Sequence, residues 1–107
     1  MSLLAQIQED IKSALRSGER LKLTTLRILL SAIKKREKDT GQEITEKAIL
    51  TIIEKQVQLR KEAAELYEAA NRLELFKKEN EEASILQGYL PEKLDELALT
   101  QIIETII

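Results

Sequence analysis

The stretch from Glu19 to Lys38, ERLKLTTLRILLSAIKKREK, carries more apolar surface than a helix on the outside of a small protein can hide. At 3.6 residues per turn, Leu26, Leu29, Leu30 and Ile33 fall on one stripe, and Leu21, Ile28 and Ala32 on a second beside it. A surface helix needs only one such face. The pattern therefore predicts a helix with neighbours on two sides, at the centre of the molecule. What remains of it is basic: Arg16, Arg20, Lys22, Arg27, Lys34, Lys35, Arg36 and Lys38 are opposed between residues 16 and 38 only by Glu19 and Glu37. One segment thus holds core positions and the surface best suited to meet an anion.

The rest of the composition fits a helical protein. Apolar residues make up 43% and charged residues 34% of 107, with three glycines and one proline to interrupt regular structure. With Tyr67, Phe76 and Tyr89 the only aromatics, the core has to be aliphatic. The chain has no cysteine and no histidine, which excludes disulfides, thiolate metal sites, zinc enzymes of the usual ligand sets and Ser-His triads within it. The net charge of -2 gives no global attraction to nucleic acid, but residues 39 to 107 carry fifteen acidic and eight basic side chains, the reverse of the 16–38 segment. No run of about 18 apolar residues is present to span a membrane, and MSLLAQIQED lacks a basic region followed by an apolar one. The cytoplasm is the expected location.

In chain order, Ser2 is a predicted N-cap for a first helix ending near Ser17, with Leu4, Ile7, Ile11, Ala14 and Leu15 as its stripe and Gly18 as its stop. The short loop makes the second helix an antiparallel neighbour. That helix ends near Asp39-Thr40-Gly41, and Thr45 caps a third over about 46–70. Its 3-4 spacing, Ile49, Ile52, Gln56, Leu59, Ala63, Leu66 and Ala70, predicts the seam of an antiparallel bundle, widened by Leu50, Ile53, Val57, Ala64 and Tyr67. Gln56 is polar on that seam. It reads either as a satisfied core amide that fixes register, the favoured reading, or as a ligand contact. Asn71 suits the left-handed residue of a sharp turn. A fourth helix follows over about 73–87, with Phe76, Ala83, Leu86 and Leu90 as its stripe, Leu75 and Ile85 beside it, and the charge run Lys77–Glu82 as a solvated face. Pro91 breaks it, and Asp95 caps a very apolar fifth helix. The expected architecture is all-α: an antiparallel multi-helix bundle of four main helices over residues 1–90, then residues 91–107 as the first helix of a second small helical subdomain, an incomplete one.

The segment Ile85-Leu86-Gln87-Gly88-Tyr89-Leu90-Pro91-Glu92-Lys93-Leu94 resembles the ILxxYLPxxL signature of the GatB/YqeY family. Upstream, Arg60-Lys61-Glu62-Ala63 and Ala69-Ala70-Asn71-Arg72-Leu73-Glu74-Leu75 resemble its RKDS…AGRxDL stretch, and Leu21 through Lys34 its RLxxLRxLxxAIK stretch. The opening MSLLxxIxEDIKxALRxGE fits as well, in the same order and spacing. Asn71 stands where the family has glycine, and Glu62 and Glu74 stand where it has aspartate. The resemblance implies a helical region like the tail of the B subunit of tRNA-dependent amidotransferases, which contacts tRNA while the chemistry lies in a separate domain. It also implies association with carbon–nitrogen ligases that use glutamine as amide donor, and a continuation of about 40 residues as a second subdomain.

Three functions follow as expectations. The first is a tRNA-binding or tRNA-metabolism accessory module, with Arg16, Arg20, Lys22, Arg27, Lys34, Lys35 and Arg36 on phosphates; the bland alternative pairs these cations with Glu62, Glu65 or Glu68. The scarcity of aromatics argues against reading single-stranded bases by stacking. The second, a ligase acting alone, lacks a nucleophile–base pair and a Gly-rich phosphate cradle, so no catalytic residue, cofactor or metal is assigned. The third is a helical protein-interaction module without an RNA role, meeting a partner or a second copy through the apolar last helix. Gln56, Arg60, Asn71, Arg72, Tyr89 and Pro91 are assigned structural roles, with Arg60 and Arg72 expected to bridge to Glu74 or Glu79 or to cap helix carbonyls.

Overall fold

Local chemistry sets the limits of each helix. The Ser2 hydroxyl accepts from the Ala5 N–H at 3.1 Å and starts α1 (Leu3–Ser17); Gly18, at φ 76°, ends it while the Glu19 N–H reaches back to the Ala14 carbonyl. The chain turns at once into α2 (Arg20–Thr40), stopped by Gly41 at φ 69°. The Thr45 hydroxyl caps α3 (Glu46–Ala69). Asn71, at φ 60°, then closes a paired turn in which its own N–H and that of Arg72 bond the Glu68 and Tyr67 carbonyls, and α4 (Leu73–Gln87) folds back along α3. The computed structural model describes residues 2–91, and among these no strand occurs: the architecture is an all-α helical bundle. The expected fifth helix and nearly all of the 91–107 subdomain lie outside the described residues.

The core is aliphatic. Ile7 comes from α1, Leu26, Leu29 and Ile33 from α2, Ile49, Ile53 and Val57 from α3, and Ala83 and Leu86 from α4, all buried in one cluster. α2 packs against all three other helices, and so does α3. The centre is therefore a pair of helices rather than a single rod.

Two apolar stripes are not where periodicity put them. On α2 the first stripe is buried at Leu26, Leu29 and Ile33 and half-buried at Leu30, but in the second Leu21 and Ala32 are half-buried and Ile28 is 45% exposed. On α3 the buried face keeps Ile49 from the expected seam but is otherwise turned toward its border. Ile49, Ile53, Val57 and Ala64 face the core, whereas Leu59 and Leu66 are 54% and 71% exposed and Ala70 is exposed. The two stripes lie less than one residue step apart around the helix, and α4, packed closely along α3, selects the one that also carries Arg60.

Candidate functional site

Helix geometry divides the basic segment. Arg20, Arg27, Lys34 and Lys38 recur at spacings of seven, seven and four, so they form one ridge roughly 27 Å long on α2. Thr24 and Ser31 stand between them on the same ridge, and all six residues are exposed. Arg20, Arg27 and Lys38 have no ion pair among the described residues, and Lys34 has a loose one to Glu37 at 3.8 Å. The other expected phosphate contacts point elsewhere. Arg16 sits on the last turn of α1, 3.8 Å from Glu9. Lys22 is half-buried on the core side of the first turn of α2. Lys35 lies off the ridge, paired with Asp39 at 3.5 Å, and Arg36 lines a small recess with Thr40, Gln42 and Ile44 at the α2–α3 loop. None of the seven pairs with Glu62, Glu65 or Glu68.

A second constellation lies where α2, α3 and α4 meet. Arg60 Nη1 is 3.0 Å from Glu82 Oε1 and 3.4 Å from Glu79 Oε1, and the Arg60, Glu79 and Glu82 side chains are only 15%, 16% and 3% exposed. The Thr25 hydroxyl donates to the Leu21 carbonyl at 2.7 Å and lies 3.4 Å from Glu82 Oε2. The run Lys77–Glu82 is thus not a uniformly solvated face: two of its carboxylates turn inward. Arg60 bridges to Glu79 and, more closely, to Glu82. Arg72 does not bridge: it is exposed, its side chain unpaired among the described residues, because it occupies the turn before α4 rather than a face of a helix.

Beside this cluster is an open cavity of about 340 Å³, lined by Ile28, Gln56, Leu59, Arg60 and Glu79. Gln56 is not a satisfied core amide. Its Oε1 is buried without a hydrogen-bond partner, as are Arg60 Nε and Glu82 Oε1, the last in ionic contact with Arg60 but not aligned for a hydrogen bond. The physical reason is the rotation of α3: Gln56 sits at the edge of the buried stripe and lines the open cavity beside the apolar Ile28 and Leu59.

The third feature fastens the segment just after α4 to the middle of α1. Tyr89, just past α4, donates its hydroxyl to Asp10 Oδ2, and Asp10 Oδ1 accepts from Gln6 Nε2 at 2.9 Å. The Tyr89 pKa is pushed well above the usual tyrosine value, first by burial and then by the Asp10 hydrogen bond and charge, so the phenol stays protonated. Pro91 is exposed beyond it.

Sequence reasoning named Glu79 as a partner for Arg60 but missed Glu82, Thr25 and Asp10. A signal was present for the carboxylates. Leu75, Glu79, Glu82 and Leu86 follow a 4-3-4 spacing on α4, and Ile53, Val57, Arg60 and Ala64 the same spacing on α3. Two acids inside one apolar stripe and a cation inside the facing one predict a buried ion cluster. No comparable signal marks Asp10, whose partner is 79 residues away.

Comparison with known proteins gives the chain its relatives. It is 34% identical over 88 residues to "Altered inheritance of mitochondria protein 41, mitochondrial" of Lachancea thermotolerans, covering 81% of this chain and 47% of the relative. To the protein of the same name in Vanderwaltozyma polyspora it is 36% identical over 85 residues, covering 78% and 46%. An uncharacterized protein of Schizosaccharomyces pombe is 30% identical over 91 residues, covering 85% of this chain and 74% of that one. The chain spans about half the length of the mitochondrial relatives it matches. The family described as Yqey-like protein matches residues 4–107, almost the whole chain, as the motifs around Arg60, Asn71 and Tyr89 imply. The chain belongs to the Yqey-like protein family.

Proposed function

We propose that this domain is a non-catalytic accessory module that holds structured RNA of the tRNA class by its phosphate backbone, leaving chemistry to another protein. The observation that carries the reading is the α2 ridge, where Arg20, Arg27, Lys34 and Lys38 alternate with the Thr24 and Ser31 hydroxyls on an exposed helix anchored in the core. Ridge cations with few internal partners are free to meet phosphates, and hydroxyls add neutral donors between them. The likeness to the amidotransferase B-subunit tail supports tRNA as the RNA and ties the module by family to carbon–nitrogen ligases with glutamine as amide donor. No helix among the described residues is long and apolar enough to cross a membrane, and both a cytoplasmic setting and the mitochondrial one named for the relatives suit such a partner.

The test is a filter-binding titration of tRNA at low salt. Binding tighter than about 100 μM is expected, with the triple reversal Arg20→Glu, Arg27→Glu, Lys34→Glu weakening it at least about tenfold. Weaker binding by the unaltered chain removes the reading. A second reading, a protein-interaction module without an RNA role, is favoured by the outward leucines Leu59, Leu66 and Leu73. Size-exclusion chromatography separates the two: a stable dimer without tRNA affinity supports the second.

A further inference from the structure

We propose that the cavity between α2, α3 and α4 is a binding site for a small aliphatic amine, a primary ammonium on a short alkyl stem. It is an open depression with an apolar and a polar part to its lining: Ile28 and Leu59 supply the first, and Gln56, Arg60 and Glu79 the second. At about 340 Å³ it falls at the lower end of the range that holds small ligands.

The polar groups define the ligand's chemistry. Glu79, Glu82 and Arg60 form a cluster with two carboxylates and one guanidinium, so it carries one negative charge in excess. Donors are scarce around it. A single guanidinium nitrogen, Arg60 Nη1, is shared between the two carboxylates, and the proton of the Thr25 hydroxyl goes to the Leu21 carbonyl at 2.7 Å, leaving Glu82 with a contact of 3.4 Å. The buried Oε1 atoms of Gln56 and Glu82 lack hydrogen-bond partners. An ammonium group brings three donors and one positive charge, and no acceptor. Placed against Glu79 and Gln56 it balances the cluster's charge, while its methylenes lie along Ile28 and Leu59, which are 45% and 54% exposed without it. An anion would meet the excess carboxylate, and a purely apolar ligand would leave the acceptors unpaired. Arg60 Nε is also buried without a hydrogen-bond partner, and an ammonium leaves it so. A metal ion is a poorer occupant, since no group of three or more carboxylates converges among the described residues.

The experiment titrates the full chain with 1,4-diaminobutane, and separately with 1,4-butanediol, following amide and methyl NMR signals. The site predicts shifts concentrated on Ile28, Gln56, Leu59 and Glu79 with the diamine and none of comparable size with the diol. Glu79→Gln, which leaves Arg60 its closer partner Glu82, lowers diamine affinity about tenfold. Glu62→Gln, which removes an exposed charge elsewhere on α3, leaves it unchanged. Equal responses to diol and diamine, shifts spread over the acidic surface with both variants weakened alike, or no shift at about 10 mM would each overturn the proposal.

Discussion

Replacing Arg60 by alanine is the sharpest test of how this bundle is held together. Glu82 is 2% exposed, and Arg60 is its closest charged contact. Removing one partner of a buried ion pair costs about 3–5 kcal/mol, because the remaining charge is left unpaired in a poorly solvating site. Arg60 keeps 15% of its side chain exposed and faces an open cavity, so water reaches the vacated side, and the lower end, about 3 kcal/mol, is the expected loss. With ΔG falling by roughly 1–3 kcal/mol per molar urea, that moves the urea midpoint down by about 1–3 M. Glu82→Gln removes the charge but keeps the shape, and Arg60 retains Glu79. Its expected loss is about 1–2 kcal/mol. The double variant Arg60→Met, Glu82→Leu leaves only Glu79, at the rim of the open cavity, unpaired and recovers much of the Arg60→Ala loss. Urea unfolding followed by helical circular dichroism measures all three. An Arg60→Ala protein within about 0.5 kcal/mol of the parent, or a double variant whose losses simply add, would refute the reasoning.

Tyr89→Phe removes a hydrogen bond to a carboxylate and should lower stability by about 1.5–3 kcal/mol, read by thermal melting. The same residue sets an alkaline limit. Its folded pKa lies above the ordinary 10.0, so the folded state keeps a proton that the unfolded state gives up. Its contribution is fully present below pH 10.0 and is lost as pH rises beyond it; Tyr89→Phe should flatten that part of the stability–pH curve. Leu86→Ala, in the fully buried core, should lose about 2–5 kcal/mol. Leu66→Ala, at 71% exposure, should change stability by no more than about 0.5 kcal/mol in the isolated chain, by the same denaturation assay.

Caps and stops were legible because each depends on one residue's chemistry: Ser2 and Thr45 by their hydroxyls, Gly18, Gly41 and Asn71 by left-handed backbone. The core stripe of α2 was legible because it is apolar across more than one face. The face of α3 was not. Leu59 and Val57 differ too little in hydrophobicity for sequence periodicity to choose between adjacent stripes, and the choice is made by Arg60 meeting Glu79 and Glu82 across the hairpin. The basic residues were visible as a cluster, but the sequence alone counted cations without resolving their directions. Only when α2 is held by Leu26, Leu29 and Ile33 do Arg20, Arg27, Lys34 and Lys38 become one line, with Lys22, Lys35 and Arg36 turned away.

That line is the account's functional claim, and the salt dependence of tRNA binding tests it most directly. Four phosphate contacts predict a slope of log affinity against log salt of about -3. Arg27→Gln with Lys34→Gln removes two of them from exposed positions and should bring the slope to about -1.5 with stability unchanged. The same slope in both proteins, or no measurable binding at low salt, would contradict it.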